Sequence, residues 1–199
     1  NHNRATDYLF FSVTDHTEET MFKSIFQIRP GSYLYLKIND IDGDKNKVIR
    51  QDKWYQPVVK TSNLSFVEAS TAFRALFKKS VEQHLQADVE VGAALSGGLD
   101  SSSIVCQIDE ILRDSQSNHR QRTFSSCAED ERYSEKKWMD IVVNHTDVEP
   151  YFIYPEGKDV FNLTNTILWH LDEPYASQSA FLGYHVFKKA SQEGIKVLL

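Results

Sequence analysis

Between Val89 and Leu112 the chain passes from small and apolar residues, through two adjacent glycines, into a helical repeat, and this order leaves few folds open. The first part, Val89-Glu90-Val91-Gly92-Ala93-Ala94-Leu95, has the composition of a strand covered on both faces. After Gly97-Gly98, the residues Ile104, Val105, Ile108, Ile111 and Leu112 recur at helical spacing. A glycine turn joining the carboxyl end of a buried strand to a helix belongs to α/β architecture, and it sets a helix N-terminus where anions bind.

The alternation continues downstream. Hydrophobic pattern and turn residues predict strand 89–95, helix 101–113, strand 123–127, helix 134–145, strand 150–154, helices 159–171 and 179–192, and strand 195–199. The expected fold is a parallel twisted sheet with helices on both faces. With right-handed crossovers and the first strand near the middle, the glycine turn falls where the winding direction reverses, the usual ligand position in such sheets.

Residues 1–60 read as a separate segment and 61–199 as the α/β part. Within the first, a Pro30-Gly31 turn, a strand Ser32–Ile38 and a returning strand Val48–Tyr55 predict a small β-hairpin appendage. Ser65 as N-cap, with Glu68 three residues on, writes a capping box at the head of a helix. Phe66, Ala69, Phe73, Leu76, Phe77, Val81 and Leu85 form one apolar stripe along it, expected to be core.

Composition excludes several classes. A net charge of -6 over 199 residues leaves no cationic excess for a nucleic-acid backbone. No apolar run approaches the roughly 18 residues a membrane span needs, and no secretory signal opens the chain, so a cytoplasmic location and no membrane partner are expected. Cys106 and Cys127 are too few for a disulfide framework and read as small buried hydrophobes, while sequons at Asn63, Asn144 and Asn162 read as chance. The NDIDGDKNK stretch imitates a calcium loop, but Lys45 stands where that loop needs glycine and Gln51 where it needs glutamate. It reads as a hairpin loop.

The turn has the chemistry of a phosphate cradle. Gly97 and Gly98 let main-chain N–H groups approach an anion, the helix adds its positive end, and Ser101 and Ser102 supply hydroxyls. Asp100 would repel phosphate unless a divalent cation lies between them, which magnesium would. There is no GxxxxGK[ST] and no GxGxxG, so a loop without a lysine for the γ-phosphate suits holding pyrophosphate as it leaves. Ser96 is not in a G-x-S-x-G turn, which argues against a serine hydrolase.

The run SGGLDSS resembles the signature of the PP-loop ATP pyrophosphatases, whose fold is adenine-nucleotide α-hydrolase-like. Its flanks are similar to the synthetase domain of glutamine-hydrolysing asparagine synthetases. They include Arg29-Pro30-Gly31-Ser32-Tyr33-Leu34, Trp54-Tyr55, Thr123-Phe124-Ser125, Asp172-Glu173-Pro174 and Gly194-Ile195-Lys196-Val197-Leu198-Leu199. The resemblance implies that Leu95, Ser96, Gly97, Gly98, Leu99, Asp100, Ser101 and Ser102 grip the phosphates of ATP, that Asp100 holds magnesium and that Ser126 contacts adenine. Here Ser126-Cys127 replaces the family's aliphatic residue and glycine. It places Asp172, Glu173 and Ser177 on the acceptor side, although Glu173 also reads as a helix-start carboxylate before Pro174.

The implied reaction adenylates a carboxylate, aspartate in the family, releasing AMP and pyrophosphate, with ammonia supplied from glutamine by a glutaminase domain. The family's second glycine-rich SGxGxDE loop follows its VLL strand, so the chain is expected to be a truncated piece that begins in the end of a glutaminase domain. Amide closure within one substrate, as in β-lactam synthetases or peptide cyclases, stays open. So do a nucleotide-binding module without activity and the oligomeric state, a homodimer included.

Overall fold

In a computed structural model, residues 1–35, 50–117, 119–175 and 177–199 are described. They form two compact units, Asn1–Asn63 and Leu64–Leu199. The NDIDGDKNK loop and the inner ends of the hairpin strands lie outside the described residues.

The first unit opens with helix α1 (His2–Phe11), capped by the Asn1 side chain, which accepts from the Arg4 N–H at 3.5 Å. Periodicity gave no sign of it, because its large apolar residues gather in the last turn. Strands β1 (Ser32–Tyr35) and β2 (Arg50–Lys53) pair antiparallel, with Ser32 opposite Lys53 and Tyr35 opposite Arg50. Gly31 adopts φ +69°, and a Cβ there would stand 2.2 Å from the Tyr55 carbonyl oxygen. The Gly31 carbonyl in turn accepts from the Trp54 and Tyr55 N–H groups at 2.9 and 3.1 Å. The turn residues and the aromatic pair singled out in the sequence therefore meet.

The second unit is the expected α/β sheet. It begins with α2 (Phe66–His84), whose capping box is formed: Ser65 Oγ accepts from the Glu68 N–H and Glu68 Oε2 accepts from the Ser65 N–H. There follow β3 (Val91–Ala94), α3 (Leu99–Asp114), β4 (Gln121–Ser126), α4 (Lys136–His145), β5 (Val148–Ile153), α5 (Asp159–Leu171), α6 (Ser179–Gln192) and β6 (Val197–Leu198). The strands lie in the order β5-β4-β3-β6 and all pairs are parallel. β3 is thus interior, and the winding reverses beside it. Strand ends move by about two residues; β4 starts early because Gln121 already pairs with Val148 of β5.

Two apolar layers cover the sheet. Ala93, Leu95, Val105, Ile108, Met139 and Val142 pack between the strands and α3 and α4 on one face. Phe124, Ala190 and Ile195 pack between the strands and α6 on the other, where Phe124 stacks on Tyr151 at 5.1 Å.

The α2 stripe departs from expectation. Val81 is buried and Phe77 and Leu85 lean on the core, but Phe66, Phe73 and Leu76 are 87%, 69% and 68% exposed. Amphipathicity identifies an apolar face without saying what covers it. Only the carboxyl half of α2 lies on that layer, and Arg74 to Glu110 and Lys78 to Asp114, at 3.3 and 2.7 Å, tie the helix to α3.

Candidate functional site

The site grows from the carboxyl end of β3. Leu95, 1% exposed, extends the ladder by donating its N–H to the Phe124 carbonyl at 3.0 Å. The chain then turns at Gly97, φ +80°, where a Cβ would stand 2.8 Å from Trp138 Cβ and 3.1 Å from the Met139 nitrogen. Close packing against the first turn of α4 and a left-handed backbone both demand glycine at this position. Gly98 follows in extended conformation as the N-cap of α3 and offers no side chain to its N–H groups.

Hydroxyls brace the turn internally. Ser101 Oγ accepts from the Ser96 N–H at 3.2 Å and donates to the Gly98 carbonyl at 3.3 Å, while Ser96 Oγ accepts from the Gly98 N–H at 3.2 Å. Ser96 and Ser101 therefore hold the shape of the loop. The first-turn N–H groups of α3, with no side-chain cap, carry the partial positive charge of the helix end.

Asp100 is exposed in that first turn. Among the described residues no group of three or more His, Cys, Asp or Glu side chains could hold a metal. The donor set fits magnesium, which keeps several waters and takes one or two carboxylates together with substrate phosphates; it does not fit an all-protein cage.

Ser126 ends β4, one strand over from the turn, and its Oγ is buried without a hydrogen-bond partner. A ligand hydroxyl or ring nitrogen would satisfy it. Asp172 is exposed and caps α5 with φ 56°, its N–H donating to the Leu168 carbonyl at 2.9 Å. Glu173 therefore follows a helix end and does not start a helix: α6 begins six residues later, at Ser179. Ser177 Oγ accepts from the Ser179 N–H at 3.2 Å and bonds its hydroxyl. Among the described residues, the hydrogen bonds of Asp172 and Ser177 are local and join neither to the glycine turn.

Pattern reading missed a cleft of about 600 Å³ at the carboxyl ends of β4 and β5, walled by Glu129, Glu131, Lys136, Lys137, Asp140 and Tyr154. Lys136 Nζ donates to both Asp140 oxygens at 2.6 and 2.8 Å and lies 4.3 Å over the Phe152 ring. The Asp140 hydrogen bond raises the Lys136 pKa, so the ammonium stays charged. In the sequence these residues look like an ordinary solvated helix start; the only signal was their position after the second strand. Cys127 beneath them is 4% exposed, and burial raises its thiol pKa, as burial also does for Cys106. Neither is poised as a nucleophile.

A parallel sheet with a glycine turn and an uncapped helix at its switch point defines the class: an α/β protein with a helix N-terminus open at the carboxyl edge, the position where such sheets commonly take ligands. Residues 72–199 match the Asparagine synthase family, and the chain belongs to it. It is 28% identical over 175 residues to a "Putative asparagine synthetase [glutamine-hydrolyzing] 2" of Methanocaldococcus jannaschii, covering 86% of this chain and 31% of that protein. It is 32% identical over 113 residues to "Asparagine synthetase [glutamine-hydrolyzing] 1" of Bacillus subtilis, 57% of this chain and 17% of that protein. A "Putative asparagine synthetase [glutamine-hydrolyzing]" of Mycobacterium bovis is 33% identical over 128 residues, 63% of this chain and 18% of that protein. The chain thus spans about a third or less of the length of the curated relatives it matches. No helix among the described residues is long and apolar enough to cross a membrane.

Proposed function

We propose that the chain carries the ATP site of a cytoplasmic ligase that activates a carboxylate, with aspartate as the substrate, and converts it to an amide. The supporting observation is the turn itself: Gly97 at φ +80° packed on α4, followed by a helix start without a side-chain cap. Such a turn presents N–H donors that need no rearrangement to meet an anion.

In the proposed reaction a carboxylate oxygen attacks the α-phosphorus of ATP. The bond from that phosphorus to the bridging oxygen breaks, pyrophosphate departs with the electron pair, and an acyl-adenylate remains. Ammonia then attacks the acyl carbon, AMP leaves and the amide forms. The N–H groups of Leu99, Asp100 and Ser101 would hold the pyrophosphate, with Leu95 to Gly98 and Ser102 shaping its cradle and Ser126 beside the adenine. Asp100 would hold magnesium, which when bound neutralises charge on the phosphates. Asp172, Glu173 and Ser177 would face the acceptor. No side chain is required to bond covalently to substrate; the work is positioning and charge neutralisation. Ammonia would come from glutamine through a glutaminase domain, of which unit Asn1–Asn63 would be the end.

Calorimetric titration with ATP and magnesium tests the reading. Expected is binding that weakens about ten-fold or more in Asp100→Ala, equivalent to about 1.4 kcal/mol, with unchanged circular dichroism. In the active enzyme, Asp100→Ala should also remove aspartate-dependent ATP–pyrophosphate exchange. Retained exchange would remove the magnesium role, and absence of ATP binding by the unaltered protein would remove the nucleotide site.

A further inference from the structure

We propose that the amino-terminal edge of the sheet holds a second binding site, for a small uncharged molecule with an apolar body and a carboxamide head. A cleft of about 170 Å³ opens there between the end of α2, the start of β3 and one side of α3. Leu85, Val91, Ile108 and Leu112 give it apolar walls, and Gln121, the first residue of β4, lines it as well. The site lies at the opposite end of the strands from the glycine turn, since Gln121 begins its strand and Leu95 follows the end of β3.

Gln121 carries the inference. It is 2% exposed, yet neither its Nε2 nor its Oε1 has a hydrogen-bond partner. Buried amides are ordinarily paired, so a buried one with both ends free, lining a cleft, points to a ligand that completes it. The free atoms are one donor group and one acceptor on a single planar amide. A ligand carboxamide meets both at once, its carbonyl accepting from Nε2 and its N–H donating to Oε1. A carboxylate has nothing to donate to Oε1, and an ammonium has nothing to accept from Nε2.

The surroundings narrow the choice further. Glu90 also lines the cleft; its Oε2 accepts from Arg122 Nη2 at 2.9 Å, and its Oε1 lies 3.5 Å from His119 Nε2. A ligand carboxylate would therefore face a carboxylate whose strongest cationic partner is already engaged. An apolar cavity of about 150 Å³ accepts a benzene-sized guest, so this cleft accommodates a branched aliphatic or small ring body.

The test uses the full chain, isotopically labelled, with isovaleramide as the probe and isovalerate as its charged twin. Isovaleramide should give saturable shifts of the Gln121 side-chain NH₂ signals and of the Ile108 and Leu112 methyls, with a dissociation constant on the order of 1 mM. Isovalerate should bind at least about ten-fold more weakly. Gln121→Leu should remove the response. Val89→Phe, at a lining position 42% exposed, should block the cleft while leaving Gln121 in place. The proposal is overturned by no saturable shift at about twenty times that concentration, by equal binding of isovalerate, or by a response that survives in both variants.

Discussion

The glycine turn and the α6 face of the sheet's amino end are built on opposite plans. At the glycine turn the donors left available are main-chain ones: the turn is braced by Ser96 and Ser101, the helix start has no side-chain cap, and Asp100 stands exposed beside it. At the amino end, on the α6 face, charged side chains answer one another. Arg122 donates to Glu90 at 2.9 Å and to the Glu193 carbonyl at 2.7 Å, lies 3.9 Å from Glu149, and Lys189 pairs with Glu193. The α6 face of the amino end is closed, its polarity spent on holding strands and helix together; the glycine turn is open and keeps donors available. A parallel sheet permits this division because all its strands deliver their carboxyl ends to the same edge.

The largest effect expected at the open end comes from Gly97→Ala. The new Cβ would meet Trp138 Cβ at 2.8 Å on a backbone at φ +80°, costing about 2–4 kcal/mol through strain and displacement of α4. Chemical denaturation measures it, and a loss below about 0.5 kcal/mol would mean the turn is soft and not pre-shaped. At the closed end, Arg122→Met keeps the aliphatic stem but strands Glu90 and the Glu193 carbonyl. A loss of about 1–3 kcal/mol is expected from those unmet groups, and it should leave ATP binding intact. Coupled loss of nucleotide affinity would break the contrast between the two ends.

Much of this was legible in the residues, for reasons that differ along the chain. α5 and α6 were bounded correctly because apolar periodicity runs through each, Pro174 separates them and Gly194 closes α6. The turn was legible because paired glycines after a strand of small residues have few other uses. The exposure of Phe66, Phe73 and Leu76 was not, since a helix pattern carries no information about its neighbour. Nor was Gln121: a polar residue at the head of a strand looks like a loop end, and only the packed fold buries it. The acidic and basic wall of the larger cleft was hidden for a related reason. Glu129, Glu131 and Lys137 are remote from the glycine motif in sequence, and their meeting depends on how α4 docks against Gly97.

The smallest effect probes the closed end by titration. Tyr151 donates its O–H to Glu149 Oε1 at 2.6 Å, and its pKa is pushed up to about 12 from 10.0, first by that hydrogen bond and then by burial and the neighbouring carboxylates. A phenol whose folded pKa exceeds its unfolded one contributes stability that is present below pH 10 and is lost as pH rises through about 12. Tyr151→Phe keeps the 5.1 Å stack on Phe124 but cannot titrate. Its unfolding midpoint should therefore fall less steeply than that of the unaltered protein across this window. Parallel curves would show that the Tyr151–Glu149 bond adds nothing to the network, and the closed end would then rest on Arg122 and Lys189 alone.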